Sequence, residues 1–370
     1  MKKLVLASAV SALFAAPASV WAQAAAPAVP TLDKVLEASG ISMSGYIDTA
    51  YTHANRNVET AFSDRVFDSQ NSSFALHQFG LTVAKQPKEG FGGLVNVTVG
   101  TDARVIHSFP ETATGSAYDV TQAFGQYASG ALTVMAGKFT TMHGTEVIAS
   151  TGNTNFSRSI LFGAVPFTHT GVRATYAASD SVTVMAGVNN GWDQLQDANK
   201  GKTVELGATL TPVKPLSIVL SAMSGSEPVG VTNGTRNSYN AVGSYAVTDA
   251  LSLGVEYLSV SQDNFTSLVD GSSIKAKYSG AAGYITYMIT PKWRVVLRGE
   301  TFDDKDGFHF GTADTKYKEG TLTLAYLPSS SFELRGEVRG DNATNPVFTD
   351  STGASSKSLM TVALQSIYKF

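Results

Sequence analysis

The chain has 370 residues, with 27 basic and 30 acidic side chains, 34 glycines and no cysteine. The absence of cysteine excludes a disulfide framework and thiolate chemistry. The slight acidic excess excludes the basic surface that a nucleic-acid partner requires. The length fits two soluble domains or one large all-β body, so composition leaves both open.

The first residues have the features of a cleaved secretory signal peptide. Lys2 and Lys3 precede an apolar run over residues 4–16, and Val20-Trp21-Ala22 provides small residues at the positions that a signal peptidase reads. A membrane anchor would need about 20 apolar residues, and this run is shorter. We therefore predict a signal peptide over residues 1–22. No later segment reaches the length of a spanning helix, so the mature chain crosses a membrane only as a β-barrel.

A linker with one short helix is predicted over residues 23–40. In the segment 31–40 (TLDKVLEASG), Thr31 is a candidate N-cap, and Gly40 ends the helix. Leu32, Val35 and Leu36 form a narrow apolar stripe. This is the single helix that we predict after the signal peptide.

From residue 41 to residue 370 the sequence alternates apolar and polar side chains with the period of two that is typical of strands. The chain end shows the pattern, because Met360, Val362 and Leu364 share one face with Tyr368 and Phe370. We predict sixteen strands near residues 41–53, 72–85, 91–104, 118–128, 131–140, 166–178, 181–191, 201–211, 215–225, 236–247, 250–261, 275–290, 292–303, 316–327, 331–341 and 357–370.

The connections between these strands alternate between tight turns and loops of roughly ten to twenty-five residues. Outer-membrane barrels have short turns on the periplasmic side and longer loops on the outer side. A soluble sandwich has no reason to place every long loop at one end. The predicted fold class is therefore an all-β transmembrane antiparallel up-and-down β-barrel of sixteen strands, preceded by the short N-terminal helix.

Aromatic residues recur close to the short turns and the chain end. An aromatic side chain with a polar tip is favoured at the boundary between lipid and water, so one such residue per hairpin predicts an interfacial girdle. The alternative is a set of tyrosine corners in a soluble protein. The predicted girdle consists of Tyr127, Tyr176, Tyr245, Tyr287, Trp293, Tyr326, Phe332, Tyr368 and Phe370.

The charged faces of the strands are predicted to point into the barrel. On segment 331–341, acidic and basic residues alternate with apolar ones. An arginine facing hydrocarbon at mid-membrane costs about 2–4 kcal/mol, so the charged face must be the inner one. These side chains either pair across strands or set a transverse field for ions, and their mixed signs predict no strong selectivity. The candidates are Arg173, Glu205, Glu256, Arg294, Arg298, Glu300, Glu333, Arg335, Glu337 and Arg339, with Asp48 a weaker assignment.

The third long loop, residues 141–165, differs from the others in carrying several large apolar residues, including Phe156, Leu161 and Phe162. Exposing these apolar side chains to water on an outer loop would cost free energy, whereas packing the loop inside the barrel would bury them. Folded inward, Glu146 and Arg158 of this loop would narrow the bore. The alternatives are a loop that caps the outer mouth or packs against a neighbouring subunit.

Three runs resemble the β-barrel porin family called OmpL-like: DVTQAFGQYASGALTVMAGKFTTMHGTEVI, NTNFSRSILFGAVPFTHTGVRATY and NNGWDQLQDANKGKT. With SGYIDTAY and GFGGLVNVTVG, the resemblance spans most of the chain after the signal peptide. It implies a bacterial outer-membrane barrel that acts as a porin. It carries no motif that identifies a solute.

Catalytic and metal-binding patterns are weak. The six histidines are scattered singly, and the acidic run at 302–307 (FDDKDG) lacks full calcium-loop spacing. We predict no enzyme, no cofactor and no metal. The predicted function is passive diffusion of small hydrophilic solutes and ions through a water-filled channel, with a solute-specific channel or a plugged structural or adhesive barrel as alternatives. The predicted partners are outer-membrane lipid, lipopolysaccharide and, as a homotrimer, further copies of the chain.

Overall fold

The computed structural model describes residues 31–56, 64–109 and 116–370. The predicted signal peptide and the first part of the linker lie outside the described residues. Helix α1 spans Leu32–Ser39 and is a unit by itself, separate from the body that begins at Gly40. Within the described ranges, no helix is long and apolar enough to cross a membrane.

The body is a closed barrel of sixteen antiparallel strands, as predicted. The barrel strands are β1 (Ser42–Ala54), β2 (Ser73–Lys85), β3 (Gly90–Val99), β4 (Tyr118–Ser129), β5 (Leu132–Thr140), β6 (Thr168–Ser179), β7 (Val182–Asn189), β8 (Thr203–Val213), β9 (Leu216–Val229), β10 (Thr232–Ala246), β11 (Leu251–Thr266), β12 (Ser273–Thr290), β13 (Trp293–Asp304), β14 (Thr315–Ser329), β15 (Phe332–Ala343) and β18 (Ser358–Lys369). Two short strands, β16 (Phe348–Thr349) and β17 (Ser355–Ser356), form a separate hairpin in the last long loop.

Each barrel strand pairs with its neighbours in the chain, and β1 pairs with β18 to close the cylinder. In that closing pair Tyr46 lies opposite Lys369, and Ala54 lies opposite Thr361. Closure leaves no barrel strand with an unpaired edge, which satisfies the backbone hydrogen-bonding groups where no water is present.

The two faces of the wall differ in the way that the alternation predicts. On β15, Leu334 and Val338 are 42% and 45% exposed, whereas Arg335 and Arg339 are 2% and 0% exposed. The apolar side chains are therefore on the outside of the cylinder, and the charged ones point inward. This is the arrangement expected when hydrocarbon surrounds the wall.

The predicted end of one strand and one predicted loop were wrong. Strand β3 ends at Val99 and not near residue 104, and it is followed by the short helix α2 (Ala103–Ile106). Gly100 makes this ending possible, because its φ is 135° and a Cβ there would lie 2.3 Å from the carbonyl oxygen of His77. Strands β9 and β10 are joined by the tight turn 230–231, with residue 229 opposite residue 232, where a long loop was predicted.

The inside of the barrel is partly filled. Loop 141–167 contains a 3₁₀ turn (Ser150–Gly152) and the short helix α3 (Ile160–Gly163), which packs against β12 and β13. An apolar cluster joins this loop to the inner faces of the neighbouring strands. Its largest members are Ile160, Leu161, Leu258, Val260, Tyr278, Tyr284, Phe302, Tyr317, Phe348 and Leu359.

Candidate constriction site

Inward-facing carboxylates hold the backbone of loop 141–167 against the wall. Glu337 on β15 accepts hydrogen bonds from the backbone N–H groups of Phe156 at 2.7 Å and Ser157 at 2.9 Å. Glu300 on β13 accepts from those of Ile160 at 2.7 Å and Leu161 at 3.2 Å. Charged acceptors make stronger hydrogen bonds than neutral ones, so these two carboxylates fix the middle of the loop.

The start of the loop is held by strands β9, β10 and β11, which continue the same wall. Glu256 on β11 accepts from the backbone N–H of Thr145 at 2.9 Å. The ring of His143 forms hydrogen bonds with the hydroxyls of Ser221 at 2.7 Å and Ser238 at 2.9 Å. Burial lowers the pKa of His143 to about 3, with a smaller contribution from His169, so the ring is neutral between these two hydroxyls.

Wall arginines hold the carbonyl groups of the same loop. Arg298 donates to the carbonyl oxygen of Ser157 at 2.6 Å. Arg335 donates to those of Asn153 at 2.7 Å and Asn155 at 3.0 Å. Arg339 donates to the carbonyl oxygen of residue 158. Donors and acceptors of the loop backbone are therefore both satisfied by buried charged side chains, as buried polar groups require.

Glu146 and Arg158, the two loop residues predicted to narrow the bore, are both buried within the loop and its wall contacts. Glu146 accepts from Arg298 at 2.8 Å and from the backbone N–H of Ser159 at 2.6 Å. Arg158 donates to the carbonyl oxygens of Val147, Phe156 and Ile148 at 3.1, 2.9 and 2.9 Å, and so joins the two arms of the loop. Burial lowers its pKa.

A second loop segment reaches the same wall and was missed by the sequence analysis. Arg65, in the first long loop, forms ion pairs with Asp68 and with Asp341 of β15. Its side chain is fully buried. Asp64 lies beside Arg339, and burial, together with nearby Asp341, raises the pKa of Asp64. The only available signal was the run DRVFD at residues 64–68, in which charges flank apolar residues.

The remaining predicted inward residues form pairs of their own on the wall. Arg173 and Glu205 make a two-point ion pair with distances of 2.7 and 3.0 Å, and Arg173 also donates to the carbonyl oxygen of Thr140. Arg294 is half-buried and pairs with Glu333, which also accepts from Arg335 at 2.7 Å. The other pair is Asp48 with Gln365, at 2.8 Å.

Glu319 is a further inward charged residue, and it was not among the predicted candidates. Glu319 on β14 lies 3.2 Å from Arg298 on β13 and 3.7 Å from Arg339 on β15, so it forms ion pairs with arginines of both neighbouring strands. Its position between Tyr317 and Thr321, both buried, follows the same alternation that identified Arg298. The alternation along β14 was therefore sufficient to predict from the sequence that Glu319 faces inward.

An open space remains on the other side of loop 141–167. A cavity of about 230 Å³ lies between this loop and strands β3, β4 and β5. Uncharged polar side chains line its wall, namely Asn96, Thr121, Gln122 and Thr140, and the loop contributes residues that include Met142, His143, Glu146, Val147 and Ile148. The loop is therefore tied to strands on both sides of this cavity, to β9–β11, β13 and β15 and, through Gln78, to β2, and it stands away from β3, β4 and β5.

The nine residues of the predicted aromatic girdle lie on the outer face. Their exposed fractions range from 40% for Trp293 to 55% for Phe370, apart from Tyr326 and Phe332, which are half-exposed. The rings of Trp293 and Tyr326 are 4.7 Å apart across β13 and β14, and those of Tyr368 and Phe370, at the end of the chain, are 6.2 Å apart. Phe91, which was not predicted, lies 4.8 Å from Tyr127.

Solved structures with the same architecture are outer-membrane proteins. The outer-membrane channel DcaP of Acinetobacter baumannii has a TM-score of 0.63 at 15% identity, covering 89% of this chain and 97% of that chain. The anion-selective porin from Comamonas acidovorans has a TM-score of 0.64 at 11% identity, covering 89% and 99%. OmpT of Vibrio cholerae in its trimer form has a TM-score of 0.61 at 13% identity, covering 89% and 99%. At sequence identities of 11–15%, these structures show a similarity of fold alone.

Comparison with curated protein sequences found no match. Comparison with protein families matches residues 40–370 to the family described as "Putative beta-barrel porin-2, OmpL-like". The matched range contains the whole barrel, the inward loop and the wall residues that hold it. The chain therefore belongs to this OmpL-like family of β-barrel porins.

Proposed function

We propose that this porin is a passive, water-filled channel of the bacterial outer membrane for small hydrophilic solutes and ions. The observation that carries this proposal is the attachment of loop 141–167 inside the barrel, which narrows the bore and leaves the cavity beside β3, β4 and β5. A barrel of sixteen strands is too wide for its wall side chains to fill. A loop fixed inside it therefore sets the width of the passage.

The lining supports weak selectivity among solutes. The wall side of the cavity is polar and uncharged, and its donors and acceptors suit hydrated ions and neutral sugars equally. The acidic residue of the lining, Glu146, is paired with Arg298, and Arg173 and Glu205 on the wall are paired with each other. Two opposite charges in contact largely cancel each other's electric field at the position of a passing ion.

Solute passage is measured best in liposomes that contain the purified protein, with a series of neutral sugars of increasing mass. We expect swelling rates that fall steeply with mass and ohmic conductance in planar bilayers. Glu300→Ala should admit larger sugars than the wild type, because it removes the acceptor of two loop N–H groups. Glu89→Ala, at an exposed turn position, is the matched control. Absence of both swelling and conductance in the wild type would favour the plugged barrel.

The same proposal includes export by a cleaved signal peptide and association into homotrimers within lipid and lipopolysaccharide. The trimer form of OmpT supports the assembly, as a property of a protein with the same fold. Fractionation of cells should place the protein in the outer membrane with its N-terminus at residue 23. Chemical cross-linking before solubilisation should yield a species of three chains, and a single-chain species alone would contradict the trimer.

Diffusion requires no catalytic step, and we propose that the protein performs none. The Ser221–His143–Ser238 contact is the arrangement that most resembles a catalytic group, but all three side chains are buried and both ring nitrogens are occupied. These contacts attach the loop. Hydrolysis of ester substrates that is lost in His143→Gln would contradict this part of the proposal.

A further inference from the structure

Arg236 differs from the other arginines of the barrel wall. It lies near the β9–β10 turn, and its alternation with exposed Tyr239 and buried Ser238 places it on the inner face. The other wall arginines each donate from a terminal nitrogen to a protein acceptor, as described above for Arg173, Arg294, Arg298, Arg335 and Arg339. In the part of the chain that the structure describes, Arg236 has a protein acceptor for its Nε alone.

That single acceptor fixes the plane of the guanidinium. Arg236 Nε donates to Gln262 Oε1 at 2.7 Å. The carboxylate of Glu227, on the neighbouring strand β9, accepts hydrogen bonds from the Trp192 N–H and from Thr203 Oγ1. It forms no ion pair with Arg236 within 4 Å among the described residues. Among the described residues, neither terminal nitrogen of Arg236 has a hydrogen-bond acceptor, and the side chain is half-buried.

Two aromatic rings from different outer loops hold this guanidinium. Its Cζ lies 4.8 Å from the ring centre of Trp192 and 5.2 Å from that of Phe308. A cation over an aromatic face is attracted by the negative charge density of the ring. A side chain held in this way loses little further freedom on binding a ligand, which lowers the entropic cost of binding.

The loops that carry the two rings are themselves tied to the wall. The backbone N–H of Trp192 donates to Glu227 at 3.2 Å. Next to Phe308, the backbone N–H groups of His309 and Phe310 donate to Asp304, the latter at 2.7 Å. The rings therefore have fixed positions and are half-exposed. They add apolar surface beside the open edge of the guanidinium.

We propose that Arg236, Trp192 and Phe308 form a binding site for the carboxylate of small organic anions near the outer mouth of the barrel. A planar guanidinium with two open terminal nitrogens matches the two oxygens of a carboxylate. The adjoining rings favour an anion with a ring or short hydrocarbon over an inorganic one. This inference rests on the proposed channel function, since the solute arrives through the same opening.

Benzoate is a suitable probe, and benzyl alcohol is its neutral counterpart. Binding is measured on the folded protein in detergent by fluorescence, in a Trp293→Phe background so that the signal reports Trp192. At constant ionic strength, we expect saturable quenching by benzoate. The Kd should be at least tenfold higher in Arg236→Gln, because charge-assisted hydrogen bonds are lost. Arg236→Lys, which keeps the charge without the planar fork, should give an intermediate Kd.

Arg104→Gln is the matched control, because this exposed arginine lies in another outer loop and the variant removes the same charge. Its Kd for benzoate should equal that of the wild type. Equal quenching by benzyl alcohol, or a wild-type Kd in Arg236→Gln, would overturn the proposal. Binding does not require conduction, so saturable benzoate binding by a protein without conductance would support this site while contradicting the channel.

Discussion

The attachment of loop 141–167 is open to a direct test at Glu337. Replacement by alanine leaves the backbone N–H groups of Phe156 and Ser157 without their acceptor and also removes the bond from Thr323. An unsatisfied buried donor costs about 1–3 kcal/mol, so the attached state loses about 2–6 kcal/mol. Even about 2 kcal/mol raises the population of the detached loop by roughly thirtyfold.

Trypsin cleavage after Arg158 measures that population. The side chain of Arg158 is 1% exposed, so the native bond is protected until the loop detaches. Proteolysis follows the open population when opening and closing are fast relative to cleavage. We expect cleavage at this position to be at least tenfold faster in Glu337→Ala, with Glu89→Ala as the control. A wild-type rate at Arg158 in a variant whose barrel remains folded, judged by its heat-resistant migration on gels, would refute the attachment.

Three further predictions concern pH, the wall charges and the girdle. His143 has a pKa lowered to about 3 by burial, so its contribution to loop attachment is complete above pH 6.5, its unfolded value, and falls as the pH drops below it. Relative to the cleavage of an unfolded peptide by trypsin at the same pH, cleavage at Arg158 should rise several-fold between pH 7 and pH 5, and this rise should disappear in His143→Gln. Reversing Arg335 and Arg339 to glutamate should accelerate cleavage at Arg158, because the loop carbonyl groups lose their donors; a wild-type cleavage rate would show that these contacts do not hold the loop. Trp293→Ala should lower the free energy of unfolding in vesicles by about 1–3 kcal/mol, from lost ring contact and burial; an unchanged urea midpoint would argue against the girdle.

The strands were predictable because one physical difference recurs along the chain. Lipid outside and polar groups inside require side chains of alternating character, and this alternation is visible in β15 as Leu334 and Val338 between charged neighbours. The signal fails at the outer rim, where both faces meet water or loops. The residues around the 230–231 turn (SEPVGVTNGT, 226–235) lack a regular alternation and were assigned to a loop, yet their backbones pair as a hairpin.

The inward position of loop 141–167 was indicated by its apolar residues, since Phe156, Leu161 and Phe162 need a buried environment. Their partners were not predictable. Glu337 lies 180 or more positions along the chain from the backbone groups that it binds, and backbone N–H groups carry no mark in the sequence. The same applies to Arg65, whose partner Asp341 belongs to a distant strand.

The sequence by itself determined the architecture: a barrel with its apolar face outward and its charged face inward, because the period of two and the cost of exposing charge to hydrocarbon leave no other closed arrangement. Only the tertiary structure determined which partner each inward-facing charged side chain binds. Arg298, Arg335 and Arg339 are occupied by the loop, whereas Arg236 keeps two open nitrogens. The reason is that pairing depends on which distant groups come within hydrogen-bonding distance, and folding of the loop into the barrel sets those distances.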